Sequence, residues 1–243
     1  MKVHFIGAGP GAADLITLRG LKLIQTCSVC LYAGSLVSEE VIKQCPAYAR
    51  IINTAQLTLE EIIEHMKLAH QNNVDVARVH SGDPSLYGAI EEQMRALDKL
   101  NIAYDVTPGV PAFAAAAAVM KKELTIPHIN QSIILSRTAV NSSAMPSGET
   151  LANLSASGAT LALHLSIQNI KSVTDELIPF YGKNCPVVVA ARISWPDEQL
   201  IYATLETIED KLKQTDIKRS AIIFVGKALS YKGDERSQLY FKD

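Results

Sequence analysis

The sequence predicts an α/β protein: two α/β domains in tandem with a ligand cleft between them. Short β-rich runs alternate with helical patterns along the chain, which is the order of βαβ units around a mostly parallel sheet. Pro127 follows the last helical pattern of a first series, and a second series begins near residue 132. We therefore expect domains of residues 1–124 and 125–243. Ligands of open α/β sheets bind beyond the carboxyl ends of strands, so two such domains are expected to enclose a cleft.

In the first domain, apolar residues at helical spacing and short β-rich runs define the expected elements. Strands are predicted over residues 2–6, 29–33, 74–79 and 102–106, and helices over residues 15–24, 91–100 and 112–120. Thr58 and Glu61 form a capping box, which predicts a further helix that begins there and runs to Gln71.

In the second domain, the same patterns predict fewer helices and a mixed sheet. Strands are expected over residues 132–136, 160–165, 187–191 and 221–225, and helices over residues 169–178 and 206–213. Residues 200–204 are expected to form a hairpin with residues 187–191, which would make part of this sheet antiparallel.

Composition and charge exclude several classes of protein. With 48% hydrophobic and 20% charged residues, the 243-residue chain is typical of folded globular proteins. A formal net charge of −2 provides no overall field that would attract nucleic acid or an anionic membrane, so neither is expected as a partner. The longest apolar stretch, residues 110–120, is shorter than the roughly 20 residues of a membrane span, and residues 1–13 do not resemble a signal peptide. We expect a cytoplasmic protein that acts on a small molecule.

A glycine-rich loop, GAGPGA at residues 7–12, lies between the first strand and helix and matches the dinucleotide-binding fingerprint. Two details count against a nicotinamide or flavin. The next strand ends in Tyr32-Ala33-Gly34 and lacks the acidic residue that binds a ribose, and Pro10 removes a main-chain donor inside the loop. A dinucleotide-dependent oxidoreductase, or a tight turn without a ligand, remains an alternative.

Two further loops follow predicted strands and precede helices: SGDPSLYG at residues 81–88 and TPGVPAF at residues 107–113. The carboxylate of Asp83 is explained either by an Asx turn or helix cap, or by a role in a ligand site. Because the carboxyl ends of parallel strands meet at one edge of a sheet, the three loops together predict one site.

These loops together resemble those of a known family. The segments VHFIGAGPGAADLITLRG, LYAGSLV, HSGDPSLYG and TPGVPAFAAAAA are similar, in order and spacing, to the tetrapyrrole (corrin/porphyrin) methylases, and the similarity covers the whole chain. LYAGSLV and the SRT … MPSGE pattern of residues 136–149 are most similar to the members that methylate C11 of precorrin-4 or cobalt-precorrin-4 in cobalamin biosynthesis. Alternatives are a member acting on another ring carbon, or on a different acceptor such as rRNA or diphthine. A non-catalytic nucleotide sensor is a further alternative.

The resemblance implies S-adenosylmethionine as methyl donor and S-adenosylhomocysteine as product, in a protein that is usually a homodimer. It also implies donor contacts at matched positions. In the first domain these are Pro10, Ser81, Gly82, Asp83, Leu86, Pro111 and Ala112, and in the second domain Leu165, Ala191, Lys227 and Ala228. Leu165 and Ala191 are equally well explained as core residues.

The implied acceptor is a macrocycle with many carboxylates, which calls for cationic side chains around the site. Arg137, Arg192 and Lys227 follow strands of the second domain and are candidates, the alternative being solvated strand ends. Tyr87, beside the Gly-Asp-Pro turn, is a candidate for lining the acceptor site. No catalytic residue is predicted, because an activated donor needs chiefly positioning and exclusion of water.

Cysteine and histidine spacing predicts no metal site. Cys27 and Cys30 form a CxxC pair, but the residues after Cys27 have a strand pattern and no second pair follows. We therefore favour buried thiols over redox or metal chemistry. His65 and His70 are five residues apart rather than the four that would place both on one helix face toward a metal.

Overall fold

The structure of the protein is a computed structural model, of which residues 1–139 and 143–233 are described. The chain divides into two compact units, Met1–Ala115 and a second unit that begins at Ala116. Each unit contains one five-stranded sheet, so the α/β class is confirmed. The sequence-based boundary after residue 124 stays a prediction.

The first unit is built on a parallel sheet. Its strands are Val3–Gly7 (β1), Val29–Tyr32 (β2), Arg50–Asn53 (β3), Val76–His80 (β4) and Tyr104–Thr107 (β5). They lie in the order β3-β2-β4-β1-β5, and each neighbouring pair is parallel. The sequence analysis missed β3, because this short strand at the sheet edge is largely exposed and lacks an apolar pattern.

Helices cover both faces of this sheet. They are Leu18–Ile24 (α1), Glu39–Ile42 (α2), Leu59–Gln71 (α3), Glu91–Lys99 (α4) and Ala112–Met120 (α5), the last of which continues into the second unit. The predicted capping box of α3 is confirmed: the hydroxyl of Thr58 accepts the Glu61 N–H at 3.2 Å, and the carboxylate of Glu61 accepts the Thr58 N–H at 2.7 Å. One hydrophobic cluster includes Phe5, and the other includes Ile6, its neighbour on the opposite face of β1.

The second unit contains a mixed sheet. Its strands are Ile133–Arg137 (β6), Thr160–His164 (β7), Pro186–Ala191 (β8), Gln199–Thr204 (β9) and Ala221–Val225 (β10), in the order β6-β7-β10-β8-β9. β6 and β7 are parallel, whereas β10 is antiparallel to both β7 and β8. The predicted hairpin of β8 and β9 is confirmed.

The core of the second unit lies between its sheet and three helices. These helices are Leu151–Ser155 (α6), Ile170–Tyr181 (α7) and Ile208–Leu212 (α8). Leu163 and Val189 from the sheet pack with Leu177 of α7 and Ile208 of α8 in one buried cluster. This packing holds the strand ends described below in fixed positions.

Candidate functional site

The glycine-rich loop after β1 is joined to the loop after β4. Both strands are parallel neighbours, so their carboxyl ends lie at the same edge of the sheet. The N–H of Ala8 donates to the carbonyl of His80 at 2.8 Å. Gly9 and Gly82 then exchange two main-chain hydrogen bonds, of 3.2 and 2.7 Å. The two loops therefore form one continuous main-chain surface.

The loop after β5 is packed directly against this pair. A Cβ on Gly7 would lie 2.6 Å from Cα of Gly109 and 2.7 Å from the carbonyl oxygen of Gly82, so only glycine permits this approach. Asp83 accepts the N–H of Gly109 at 3.0 Å with one oxygen and the N–H of Ser85 at 2.8 Å with the other. The Asx turn that one interpretation of Asp83 predicted is present, and the same carboxylate also ties two loops together.

The resemblance implies donor contacts in the first unit. Three of them, Gly82, Pro111 and Ala112, lie close together. Gly82 has a φ of +60°, and the position that its Cβ would occupy is 3.9 Å from Cα of Pro111 and 4.0 Å from the nitrogen of Ala112. Ala112 is the first residue of α5, so main-chain N–H groups of a helix start border this space. The remaining implied contacts lie in the same joined loops: Pro10, Ser81, Asp83 and Leu86.

The predicted site residues of the second unit lie at two opposite edges of its sheet. β10 is antiparallel to both β7 and β8, so β6, β7 and β8 run in the same direction. Their carboxyl ends bring Arg137, Leu165, Ala191 and Arg192 to one edge. Lys227 and Ala228 follow β10 at the other edge, where Val225 pairs with Val187 near the start of β8. The sequence showed these strands but not the direction of β10.

Leu165 combines exposure with backbone strain. Its apolar side chain is 59% exposed, and its φ of +53° is rare for a residue with a side chain. The buried hydroxyl of Ser166 donates to the carbonyl of His164 at 2.7 Å and accepts the N–H of Thr138 at 2.8 Å. Strained residues of this kind concentrate at functional sites. Ser166, which the sequence analysis missed, fixes Leu165 and joins it to the strand end after β6.

Arg192 is held by two side chains that follow it. Its guanidinium lies 4.5 Å from the centre of the Trp195 ring and pairs with the carboxylate of Asp197 at 2.5 Å. This hydrogen bond lowers the pKa of Asp197. Arg192 itself has a φ of +47°, so its backbone is strained as well. The sequence analysis missed Trp195, although a single tryptophan just beyond a strand end was a usable signal.

The other predicted site residues near these strand ends differ in their exposure. Arg137 is half-buried and donates to the main-chain carbonyl of Ser143 at 2.9 Å. Tyr87 is 45% exposed and has a φ of +57°. Lys227 is exposed, whereas the side chain of Ala191 is buried in the sheet. A ligand at Ala191 would therefore contact its main chain.

Two histidines near these strand ends, the buried His80 and the half-buried His164, are neutral at physiological pH. Burial, together with the nearby charge of Arg78, lowers the pKa of His80 to about 3. Burial lowers the pKa of His164 to about 4. Neither provides a cation for a carboxylate ligand near neutral pH. Among residues 1–139 and 143–233, no group of three or more His, Cys, Asp or Glu side chains is placed to hold a metal ion.

The first unit has a parallel sheet with three joined, glycine-lined loops, and the second has a mixed sheet with strained strand ends. These features define the class: a two-unit α/β protein. Over residues 2–209 the chain matches the Tetrapyrrole (Corrin/Porphyrin) Methylases, and it belongs to this family.

Named relatives are similar over nearly the whole chain. The precorrin-4 C(11)-methyltransferase of a Sinorhizobium species is 51% identical, over 99% of this chain and 95% of the relative. The cobalt-precorrin-4 C(11)-methyltransferase of Methanocaldococcus jannaschii is 41% identical, over 100% of this chain and 93% of the relative. The solved structure of a cobalt precorrin-4 methyltransferase, a cobalamin biosynthetic enzyme, superposes with a TM-score of 0.92 at 40% identity, covering 95% of this chain and 96% of the other.

Proposed function

We propose that this protein is an S-adenosylmethionine-dependent methyltransferase that methylates C11 of precorrin-4 or cobalt-precorrin-4 in cobalamin biosynthesis. The observation that carries this proposal is the 51% identity, over nearly all of both chains, with a relative named for this reaction. The joined loops of the first unit support it, because they offer main-chain groups rather than a catalytic triad. Methyl transfer from an activated donor needs such positioning groups most.

The residues of the first unit fit a donor of this chemistry. A side chain at residue 82 would project against Pro111 and Ala112, where its absence leaves main-chain atoms accessible, and the start of α5 presents N–H groups suited to a carboxylate. When bound, S-adenosylmethionine supplies a methyl group activated by its sulfonium charge. The joined loops hold the reactants in a fixed geometry, and Asp83 keeps the loops together while they do so.

For the acceptor, we propose that Arg137 and Arg192 bind ring carboxylates and that Tyr87 lines the acceptor site. Arg192 is suited to this because Asp197 and Trp195 already restrict its side chain, which lowers the entropy lost on binding. Leu165 and Ala191 share its sheet edge and are proposed donor contacts. The contacts expected from Lys227 and Ala228 stay predictions, since these residues lie at the opposite edge.

The direct test is incubation with S-adenosylmethionine and precorrin-4, with and without cobalt, followed by mass spectrometry and NMR of the product. The expected product has gained one methyl group at C11. A methyl group at another ring carbon would identify a different member of the family, and no methyl gain in either reaction would overturn the proposal. Absorbance of a copurified flavin or nicotinamide would support the oxidoreductase alternative.

The acceptor residues are tested by Arg137→Ala and Arg192→Ala. Each is expected to raise the acceptor KM about tenfold, as for the loss of a hydrogen bond to a charged group, while S-adenosylhomocysteine affinity, measured by calorimetry, stays unchanged. Lys183→Ala is the matched control: Lys183 pairs with Glu206 at 3.2 Å just before β8, away from the edge that carries Arg192. An unchanged acceptor KM in both arginine variants would remove them from the site.

We also propose that the protein is a cytoplasmic homodimer, as the family resemblance favours. In the part of the chain that the structure describes, no helix is long and apolar enough to cross a membrane. Light scattering on the purified protein tests the assembly: twice the 26.4 kDa chain mass is expected. A mass of one chain at assay concentration would contradict the dimer.

A further inference from the structure

Arg78 is a charged side chain in the interior of the first unit. It lies in β4, at the centre of the sheet, and is 4% exposed. Its Nε donates to the side-chain oxygen of Gln93 at 3.0 Å, and a terminal nitrogen donates to the hydroxyl of Thr54 at 3.0 Å and the carbonyl of Leu31 at 3.4 Å. Within residues 1–139 and 143–233, no ion pair joins Arg78 to a carboxylate. Burying a cation costs free energy when all its partners are neutral, so the position of Arg78 needs an explanation.

The first partner, Gln93, transmits the position of Arg78 to a strained segment. Gln93 lies in the first turn of α4, is 4% exposed, and donates its side-chain N–H to the carbonyl of Ala89 at 3.1 Å. Ala89 has a φ of +49° and Tyr87 a φ of +57°, so two residues with side chains adopt the left-handed conformation within one short segment. Between them, a Cβ on Gly88 would collide with the carbonyl of Pro84. Such a segment keeps its shape only where neighbours hold it.

The second partner, Thr54, connects Arg78 to the loop after β2. Its main-chain N–H and its hydroxyl both donate to the carbonyl of Tyr32, each at 3.0 Å. Arg78 in turn donates to that hydroxyl and to the carbonyl of Leu31 in β2. One buried guanidinium thus fixes the carboxyl end of β2 and, through Gln93, the segment that carries Tyr87.

The loop between β4 and α4 is therefore held at two separate places. At its beginning, Gly82 is bonded to Gly9, and Asp83 to Gly109. At its end, the Ala89 carbonyl depends on Gln93. The beginning carries the proposed donor contacts, including Leu86, whose N–H donates to the carbonyl of Asp83 at 3.2 Å, and the end carries Tyr87. A change at Gln93 should consequently disturb the two parts of the loop unequally.

We propose that Arg78 and Gln93 are positioning residues of the methyl transfer: Arg78 orients the Gln93 amide, which holds the Ala89 carbonyl and thereby fixes Tyr87 for acceptor binding. This inference rests on the proposed function, in which Tyr87 lines the acceptor site. Neither residue touches a reactant. Both act through the strained segment 87–89.

Gln93→Glu separates this role from a purely structural one. The carboxylate keeps an acceptor for Arg78 and gives the buried cation a charged partner, but it removes the N–H that holds Ala89. We expect a melting temperature no lower than that of the wild type. The acceptor kcat/KM should fall about 10- to 100-fold, as expected for a misplaced contact. Hydrogen exchange should accelerate for the amides of residues 87–90 and stay unchanged for residues 81–86, and S-adenosylhomocysteine affinity should stay within about twofold.

Two further variants serve as references. Glu92→Gln changes the neighbouring exposed residue on α4 and should alter none of these quantities. Gln93→Met deprives Arg78 of an acceptor as well, so it should lower the melting temperature in addition to loosening residues 87–90. Comparison of the Glu and Met variants thus separates two effects: the loss of the hydrogen bond from Arg78 to residue 93, and the loss of the hydrogen bond from residue 93 to the Ala89 carbonyl.

Two results would overturn the proposal. Wild-type kcat/KM together with wild-type exchange at residues 87–90 in Gln93→Glu would show that the interaction with Ala89 fixes nothing. A loss of S-adenosylhomocysteine affinity as large as the loss of kcat/KM would show that the two ends of the loop are not independent. If the wild-type protein transfers no methyl group to precorrin-4, the proposed function fails, and the exchange rates alone then decide whether Gln93 holds the segment.

Discussion

Asp83 shows how a single side chain connects the folding of the loops to ligand binding. The sequence allowed it to be either an Asx turn or a site residue. In the structure one oxygen makes the turn with Ser85, and the other reaches Gly109 on a loop 26 positions away. The distant bond matters for the site, because it keeps the loops after β4 and β5 together.

Asp83→Ala removes both bonds, so it should destabilise the first unit by about 2 kcal/mol and weaken S-adenosylhomocysteine binding as the loops separate. Asp83→Asn should retain the turn with Ser85 but place an N–H against that of Gly109, so we expect an intermediate result. Denaturant unfolding and calorimetry measure the two effects. Asp216→Ala, at an exposed position, is the control. Full donor affinity in Asp83→Ala would contradict a site role for Asp83.

The residues that sequence reasoning missed have their roles only through tertiary contacts. Ser166 acts by bonding Thr138, 28 positions away, and Gln93 acts by lying between Arg78 and Ala89. The turn at Gly82 and Asp83, in contrast, was predicted because a Gly-Asp-Pro sequence after a strand has a local signature, and the family resemblance added the expected donor contacts. Local signatures were readable from the sequence, but pairings between distant segments were not.

At the scale of secondary structure, prediction succeeded where a helix or strand had a periodic apolar pattern or a cap. The capping box located the start of α3 correctly, and short β-rich runs located every strand of the two sheets except β3. The short elements α2, α6 and β3 were missed because four or five residues hold too little periodicity. The direction of β10 was also unreadable, since it depends on pairing with β7 and β8. Because β10 is antiparallel to β8, Lys227 and Arg192 lie at opposite edges of the sheet.

The thiols of β2 and of the segment after α2 offer a test at this scale. Cys30 is buried in β2, and its S–H donates a hydrogen bond to Cys45, which raises the pKa of Cys30 and lowers that of Cys45. Burial raises the pKa of Cys27 to about 12. Because the thiolate is the reactive form and Cys45 is only partly buried, we expect iodoacetamide to modify Cys45 first.

Peptide mass spectrometry after short labelling of the native protein identifies the modified cysteine. Cys30→Ala removes the hydrogen bond to Cys45 and should therefore slow the alkylation of Cys45 at neutral pH. Cys185→Ala, in the second unit, is the control and should leave that rate unchanged. Faster labelling of Cys30 than of Cys45 would contradict the assigned direction of the hydrogen bond.

For the whole molecule, the net charge of −2 means that an anionic acceptor has to be met by individual cations at particular positions. Arg137 and Arg192 share one sheet edge, and both make bonds within the protein that restrict them. The interior differs from the surface in its charges. Arg78 is buried and pairs with no carboxylate of residues 1–139 and 143–233, and the buried His80 and half-buried His164 are neutral. These interior groups couple the stability of the whole fold to pH.

Stability should consequently fall as the pH drops below about 6.5, the ordinary pKa of histidine. In the folded protein, burial lowers the pKa of His80 to about 3 and that of His164 to about 4, so the unfolded chain takes up protons that the folded chain does not. Each histidine therefore contributes stability that is fully present above about pH 6.5 and is lost on acidification, about 2 kcal/mol by about pH 5. Urea unfolding between neutral pH and about pH 5 measures the sum, about 4 kcal/mol. His80→Leu should halve this fall whatever its effect at neutral pH, and a wild-type stability that stays constant over the range would contradict the burial of both neutral rings.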